Sequence, residues 1–461
     1  MIARAGLARL FALGARMAFA VLIVAMPFRA RTDVLAHPPA AVSAVLADLV
    51  LYAVDVLVVS TLVLWLLARG LDRRRIDLGP WPLRVPALAL IGLAWLTIPF
   101  GVEPGLSVVG ATRITVGAVF ALYVLNEVEG LDSLAVPVAL MLLIQAAVGI
   151  AQVSTGGAVG LSGIGELPLD PAVAGTSVVT ISDGTRILRA YGLTPHPNVL
   201  GGFLACGLVV LVSVSTTSRT ARLAQAAVVV LASAALVVTF SRSAWLAGLA
   251  GLVVGLVTLA ARGPGSGVRP VRRWLATAAL ALAVVAAVGW LARDPIASRT
   301  WLTPSVSATE QRSIDERVEQ IRLGWRVVLE RPLTGAGASA VPMAMRQLEP
   351  DFPYAFYAPH LVALAVAGEL GIAGGLAYLL LIAGPWILLL AAFASGSRRR
   401  WTAELAGASA ALAALAVVSL FDDYPWVGGP GRTLAWFVIG LWAMAWARVG
   451  RDRPAEAASD G

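Results

Sequence analysis

Five short stretches of the sequence combine arginine, histidine and carboxylate side chains at the edges of long apolar runs. They read RILRAYGLTPHPN (186–198), TFSRSAW (239–245), DERVEQIRLGWRVVLERP (315–332), YAPHLVALAVAGELG (357–371) and FDDYPW (421–426). An arginine guanidinium is always charged, and its planar fork matches the oxygens of a diphosphate. A histidine with a pKa near neutrality can remove a proton from a hydroxyl group. Together these residue types predict a site that binds a diphosphate and activates a hydroxyl.

Metal ligation is not indicated by the sequence. Only three histidines occur in 461 residues, and they are scattered along the chain. The single cysteine, Cys206, lies in an apolar run, which excludes an intramolecular disulfide and a cysteine-based metal site. We therefore expect no cofactor and no metal, with guanidinium groups giving the leaving-group stabilisation that a metal ion gives in other enzymes.

The composition identifies the medium in which such a site must be built. Hydrophobic residues make up 59% of the chain, charged residues only 13%, and the mean hydropathy is +0.83. Soluble domains carry about 25% charged residues, and the long apolar runs lack the alternation of a β-barrel strand. We predict an all-α polytopic membrane protein that forms a single membrane domain over residues 1–461. The net charge is +8, and the basic residues that give it are all arginines. Because these arginines lie mostly in loops beside the spans, no nucleic-acid partner is expected.

The apolar runs predict about twelve membrane spans and an orientation. We interpret the first as a retained span rather than a cleaved signal peptide. Arginines concentrate in alternate connections, as at 69–75 and 398–400, which predicts a multi-pass protein with both termini in the cytoplasm. The predicted spans lie near 10–28, 40–68, 85–100, 106–125, 134–153, 199–216, 223–240, 243–261, 275–292, 361–394, 403–421 and 433–447.

Two long connections fall on the outer side in this orientation, at residues 154–198 and 293–360. The second is expected to cover the site, and its segment 315–332 has helical spacing of apolar residues at Ile314, Val318, Ile321, Trp325 and Val328. We predict an amphipathic helix there, lying on the membrane face or over a cavity and ended by Pro332 and the following glycines. Residues 361–394 are too long for one straight crossing, so we expect a break at GELGIAGG.

Four of the motifs, in their order along the chain, resemble the successive signatures of the O-antigen ligase and polymerase superfamily. They are RAYGLTPHPNVLGGFLA, TFSRSAWLAG, ERVEQIRLGWRVVLERPLTGAGASA and PHLVALAVAGELGIAGG, and the resemblance covers roughly residues 110–425. It implies a metal-independent membrane glycosyltransferase in the bacterial cytoplasmic membrane. Such an enzyme moves a glycan from a polyprenyl-diphosphate carrier to a hydroxyl acceptor on the outer face. The acceptor would be a glycolipid, a polysaccharide or a protein, with membrane lipids as further partners.

The resemblance also implies roles for particular residues. Arg242 and Arg317 would bind the donor diphosphate, with Arg189 as a third ligand. His360 would be the catalytic base, although Leu361 stands where the family commonly has asparagine. Asn198 belongs to the same motif as Arg189. Glu369 lies within apolar sequence and would support the site, because a carboxylate there usually faces a cavity or a partner.

Structural interpretations of the same residues stay open at this stage. The Pro-flanked His196 and Asn198 can simply start a helix, with asparagine as its cap. Arg242 can be an arginine that extends to the membrane surface from a tight turn. Arg317 can belong to a solvated helix face, because many charges surround it, while Glu369 can pair with an arginine for structure.

A second function is also compatible with the sequence. Asp48 and Asp55 lie seven residues apart in the predicted second span, hence on one helix face. Paired carboxylates within a membrane are what a proton- or ion-coupled carrier uses. The alternative is therefore a transporter or flippase for an anionic or lipid-linked solute, with the same arginines binding that solute.

Overall fold

The computed structural model describes residues 2–35, 49–181, 183–216, 218–262, 268–299, 308–397 and 401–451. Within these residues the chain is almost entirely helical. The fifteen α-helices of the described chain are α1 Ile2–Ala25, α2 Ala53–Asp72, α3 Trp81–Leu96, α4 Pro104–Glu127, α5 Ala135–Thr155, α6 Pro197–Ser213, α7 Arg219–Val238, α8 Arg242–Ala260, α9 Arg269–Leu291, α10 Arg293–Arg299, α11 Ala308–Glu330, α12 Val341–Leu348, α13 Val362–Ala394, α14 Ala403–Phe421 and α15 Gly429–Arg451. The fold is an all-α polytopic membrane fold, as the composition predicted.

Twelve of these helices correspond to the predicted spans. Nine helices of the described residues are long and apolar enough to cross a membrane, and α3 and α6 are shorter apolar helices. The twelfth, α15, covers the predicted span 433–447. The prediction for 40–68 was wrong at its start: α2 begins at Ala53, residues 49–52 form a strand, and residues 40–48 lie outside the described part of the chain.

Two short antiparallel hairpins lie among the helices. Strand β1 (Arg31–Leu35) pairs with β2 (Leu49–Tyr52), and β3 (Val178–Thr180) pairs with β4 (Arg186–Leu188). The first hairpin changes the interpretation of Asp55, which lies in the first turn of α2 and accepts a hydrogen bond from the Tyr52 backbone N–H at 3.1 Å. Asp48 is outside the described residues, so the predicted pair of Asp48 and Asp55 on one helix face stays a prediction.

The helix ends form two polar layers. One layer, which we call the arginine-rich end, joins the start of α1 to the end of α2 through Arg4 Nε and the Leu71 carbonyl (2.9 Å). It also joins Glu127 to Arg69 (2.6 Å) and Glu404 to Arg448 (3.3 Å). The opposite layer, which we call the site end, contains both hairpins, the two long connections and the turn between α14 and α15. Both α1 and α15 have their outer ends, toward the chain termini, at the arginine-rich end.

The first long connection is fixed to the bundle by one carboxylate. Glu166 is buried and accepts hydrogen bonds from Gln152 Nε2 (2.9 Å), Val159 N (2.8 Å) and Leu161 N (2.6 Å). Burial opposes the charged form of Glu166, but these donors outweigh it and lower the pKa of the carboxyl. The connection is thus an ordered cover of this end of α5.

Helix α13 is broken, as its length predicted. Gly371 has φ 74° and ψ 178°, which is not helical, and it separates a short entering helix from the longer span. A break leaves backbone carbonyls without their usual partners four residues on. The loop after α11 supplies these partners: Ala336 N donates to Gly368 O (2.7 Å) and Gly337 N to Glu369 O (2.9 Å). The PLTGAG motif is therefore the segment that completes the broken helix.

The predicted amphipathic helix exists but continues further toward the N-terminus. Helix α11 ends at Glu330, as the following proline predicted, and begins at Ala308. The predicted apolar positions do not form one buried stripe. Val328 is buried, whereas Val318 is 56% exposed and Trp325 is 52% exposed. The buried face is rotated toward Gln320, Leu323 and Val327.

Candidate functional site

The turn between α14 and α15, residues 422–428, brings two carboxylates to the centre of the site end. Asp422 follows the last residue of α14 in extended conformation (φ −145°, ψ 146°). Consecutive residues of extended backbone project in opposite directions, and Asp422 and Asp423 contact different partners. The turn is tight because Gly431 lies against the Tyr424 carbonyl: a Cβ at that position would be 2.2 Å from the oxygen. Neither aspartate was among the site residues predicted from the sequence.

Asp422 is the point at which four elements meet. Its carboxylate is buried and accepts hydrogen bonds from Asn198 Nδ2 of α6 (3.0 Å) and Ser243 Oγ of α8 (2.8 Å). Arg317 of α11 approaches the same carboxylate at 3.8 Å. Burial raises the pKa of Asp422 above its ordinary value, although Arg317, His360 and the two hydrogen-bond donors act in the opposite direction. These contacts hold four distant parts of the sequence in one place.

Arg317 is incompletely paired in this arrangement. Its side chain is 35% exposed, and its Nη2 lies 3.8 Å from Asp422 Oδ1, beyond hydrogen-bond distance. A guanidinium has five N–H donors, so Arg317 keeps donors for an anionic ligand. Farther along α11, Arg322 reaches both oxygens of Glu349 at 3.0 Å. The two arginines of one helix therefore differ in how fully their donors are used.

His360 lies just before α13 and faces the second carboxylate. Its Nδ1 is 3.4 Å from Asp423 Oδ1, a close charge contact without the alignment of a formed hydrogen bond. Burial alone would lower the pKa of His360, but Asp423 and Asp422 outweigh it and raise the pKa above the ordinary value. With Nδ1 toward Asp423, Nε2 is the ring atom left for a substrate. The prolyl residue before it, Pro359, packs on Gly324 of α11, where a Cβ would be 2.3 Å from the ring.

Residues 227–379 match the family model described as O-antigen ligase. This segment is similar to O-antigen ligases. The match confirms the resemblance for the three motifs that it contains, and RAYGLTPHPNVLGGFLA lies outside it. A comparison with curated proteins gives no match.

The O-antigen ligase match contains Arg242, Arg317, His360 and Glu369. It ends before the turn 422–428, so the two aspartates come from outside the matched segment. Arg189 and Asn198 also lie outside it.

Arg242 is the first residue of α8 and is half-buried. The turn before it is tight, with Phe240 at φ 48°, and Ser241 caps the helix by accepting a hydrogen bond from Ala244 N (3.4 Å). Ser243, one residue further, donates to Asp422. Arg242 is therefore next to a residue of the site, and its role toward a donor stays a prediction.

Arg189 and Asn198 form a buried pair that supports Asp422. Arg189 donates from Nε to Thr239 O (2.8 Å) and from Nη2 to Asn198 Oδ1 (2.7 Å). Asn198 in turn donates a hydrogen bond from its amide to Asp422, so Arg189 helps to position Asp422 through Asn198. These contacts favour a positioning role for Arg189 over direct contact with a donor. The helix cap is not Asn198: His196 occupies that position, with its Nδ1 accepting from Asn198 N at 3.1 Å.

Glu369 lies on the other side of the turn from Asp422. It is buried in the short entering part of α13, and its Oε2 accepts a hydrogen bond from Trp426 Nε1 at 2.9 Å. This contact ties the turn 422–428 to the break in α13. Glu369 is thus connected to the site through Trp426.

The sequence contained a weak signal for the aspartates that were missed. FDDYPW was recognised as a polar stretch at the outer edge of the membrane, but an aspartate pair after a span has many ordinary uses. Only the tertiary contacts distinguish the two aspartates. Asp422 contacts Asn198, Ser243 and Arg317, whereas Asp423 faces His360. Among the described residues, no group of three histidine, cysteine or carboxylate side chains is placed to hold a metal ion. The arrangement offers a cationic donor set beside a histidine–carboxylate pair.

Proposed function

We propose that this protein transfers a glycan from a polyprenyl-diphosphate carrier to a hydroxyl acceptor, without a metal ion. The observation that supports this proposal is the turn 422–428. Its two adjacent carboxylates hold Arg317 at 3.8 Å on one side and His360 at 3.4 Å on the other. Two neighbouring residues of the turn thereby hold a phosphate-binding cation, Arg317, and a base, His360. The O-antigen ligase match supports glycan transfer as the reaction class.

On the donor side, Arg317 and Arg242 would bind the diphosphate. Charge develops on the diphosphate as its bond to the sugar breaks, and preorganised guanidinium donors stabilise that charge. Asp422 holds Arg317 in place from a buried position, and Ser243 connects the start of α8 to the same carboxylate. We assign Arg189 to positioning, through Asn198.

On the acceptor side, His360 would act as the base. Nε2 takes the proton of the acceptor hydroxyl as the acceptor oxygen attacks the anomeric carbon. The bond between that carbon and the diphosphate oxygen breaks, the polyprenyl diphosphate leaves with the bonding electrons, and the anomeric configuration inverts. Asp423 stabilises the imidazolium that forms, in the way that a buried carboxylate orients a catalytic histidine. A loose contact in the free enzyme tightens when the substrate binds.

The reaction would occur on the outer face of the cytoplasmic membrane. The arginine-rich end contains the short connections with most of the loop arginines, and such loops stay in the cytoplasm. Both termini belong to that end, and the site lies at the opposite end. The long connection 293–360 then covers the site from outside. A lid of this kind suits an enzyme that must exclude water from its leaving group.

The test uses the purified protein in proteoliposomes with a fluorescent polyprenyl-diphosphate oligosaccharide. Glycolipid, polysaccharide and peptide acceptors are supplied separately, with a chelator present throughout. We expect free polyprenyl diphosphate and a glycosylated acceptor in equal amounts, and neither with His360→Ala. Movement of intact donor across the bilayer without bond cleavage would instead support the transporter alternative. That alternative depends on the pair of Asp48 and Asp55, of which only Asp55 lies in the described part of the chain.

A further inference from the structure

Helix α11 has two apolar sides, and the described residues of the chain cover only one of them. The covered side packs on segment 352–359 and on α13. Leu323 and Val327 are fully buried there, and Gly324 allows the close approach of Pro359. This side fixes the helix over the site and explains why Arg317 points toward Asp422.

The opposite side is a stripe of exposed apolar residues, which we call the α11 stripe. It consists of Val318 (56% exposed), Trp325 (52%), Leu329 (74%) and, just past the helix, Leu333 (83%). Steps of seven and four residues put the helical members on one face. Large exposed apolar side chains grouped in this way indicate a surface that contacts a protein or a membrane.

The one charged residue within the stripe is neutralised. Arg322 lies on the same face, but its guanidinium is bound by Glu319 at 2.6 Å and by both oxygens of Glu349 at 3.0 Å. The α11 stripe therefore presents aliphatic and indole surface with little net charge. Exposing these apolar side chains would not stabilise a helix that is surrounded by water.

The α11 stripe continues into the lipid-facing surface of the bundle. Just past the helix, Arg331 Nη1 reaches Phe100 O at 3.4 Å, and Pro332 O accepts from Ile372 N at 2.8 Å. These contacts set the end of α11 level with the site end of α3 and with the break in α13. The side chains exposed around this junction are also large and apolar, namely Leu96 (66%), Phe100 (56%), Ile372 (49%) and Leu376 (55%).

We infer that α11 lies in the plane of the membrane interface, with the α11 stripe inserted among the lipid headgroups and upper acyl chains of the leaflet at the site end. Helices that bind in this way insert apolar side chains at the boundary between headgroups and acyl chains, and tryptophan is typical of that depth. The occupant of the stripe is the bilayer itself. The continuity with the exposed surface of α3 and α13 is what selects lipid over a protein partner.

One consequence rests on the proposed function, whereas the insertion itself does not. Arg317 precedes Val318 and points to the inner side of the same helix. If the stripe is at headgroup depth, the guanidinium of Arg317 is at the level where a membrane-bound diphosphate lies. The helix would then set the depth of the donor site as well as cover it.

The experiment uses the single cysteine of the chain. Cys206 is buried in α6, so the unmodified protein should react poorly with thiol dyes. Trp325→Cys and Leu329→Cys are labelled with an environment-sensitive fluorophore in lipid nanodiscs, and the matched control is Ser313→Cys on an exposed polar part of the same helix. We expect blue-shifted emission and at least twofold stronger quenching by doxyl lipids at 325 and 329 than at 313, with iodide showing the reverse order.

Two results would overturn the inference. Strong iodide quenching at 325 and 329 would mean that the stripe faces water. Protection from both quenchers would mean that protein covers it, for example the segment 300–307 of this chain. Because fluorescence is read without turnover, failure of the glycan-transfer assay leaves this test unaffected.

Discussion

The two ends of the helix bundle use arginine in different ways. At the arginine-rich end, Arg69 is saturated: its Nε and Nη2 both reach Glu127 Oε1 (2.8 and 2.6 Å), and its Nη1 reaches the Arg75 carbonyl (3.0 Å). At the site end, Arg317 faces the carboxylate of Asp422 at 3.8 Å. The arginine of the first pair is also the better buried, with 13% exposure for Arg69 against 35% for Arg317.

This difference separates an arginine that serves the fold from one that serves a ligand. A saturated guanidinium has its desolvation offset by its own partners, so it gains little from a new anion. A guanidinium held near a carboxylate, but not bonded to it, keeps both its charge and its donors. The same contrast recurs within α11, where Arg322 is saturated by Glu319 and Glu349 while Arg317 is not. The incomplete pairing of Arg317 therefore indicates the site better than the presence of an arginine alone.

The largest effect should come from His360, which is also loosely held. His360→Ala removes the base, and we expect the turnover rate to fall by about 10²- to 10⁴-fold. The matched control is His196→Ala, the other histidine next to a proline in a site motif. His196 is satisfied as a helix cap, with Ser177 Oγ at 3.0 Å from its Nε2, so its removal should mainly reduce thermal stability.

The measurement is donor turnover per folded protein, with folding checked by thermal unfolding in detergent. An equal loss of turnover in both variants would contradict the assignment of His360 as the base, because the two histidines would then be equally structural.

Arg317→Gln should have the next largest effect. It removes the incompletely paired charge while keeping a polar side chain of similar length, and we expect about a 10²-fold loss of activity. Arg322→Gln is the control in the same helix, and Arg69→Gln is the control at the other end. Both controls break saturated pairs, so we expect a lower unfolding midpoint with nearly normal turnover of the protein that remains folded. Normal turnover by Arg317→Gln would refute the contrast between incomplete and saturated pairs.

Much of the architecture was predictable because lipid imposes simple rules on sequence. Apolar length predicted the nine described helices that are long and apolar enough to cross a membrane. The excessive length of 361–394 together with its glycines predicted the break at Gly371. The start of α2 was missed because residues 49–52 are as apolar as the helix that follows, and composition does not distinguish a short strand from a helix.

The site was only partly predictable, for a different reason. Arg317, His360 and Asn198 were selected by residue type and motif, and the structure brings all three to the turn 422–428. The aspartates that join them were not selected, because their importance lies in contacts with residues far away in the sequence, such as Asp422 with Ser243 (179 residues apart). Spacing also predicted the helix α11, but spacing does not say which of its apolar sides packs on protein.

The smallest predicted effect tests the charge that acts on the base. Asp423 raises the pKa of His360 in the folded protein, and a base must be neutral to accept a proton. Activity should therefore increase as the pH rises through that pKa.

Asp423→Asn removes the carboxylate charge, lowers the pKa of His360, and should move the acid limb of the pH profile of kcat/KM to lower pH. On the plateau we expect roughly a tenfold decrease, because the imidazolium that forms during the reaction loses the carboxylate charge that stabilises it. Asp351→Asn, an exposed aspartate in the same long connection, is the control and should leave the profile unchanged. A shift of the acid limb to higher pH would show that Asp423 does not act on His360 through its charge, and the loosely held pair at the site end would then have to be explained by packing.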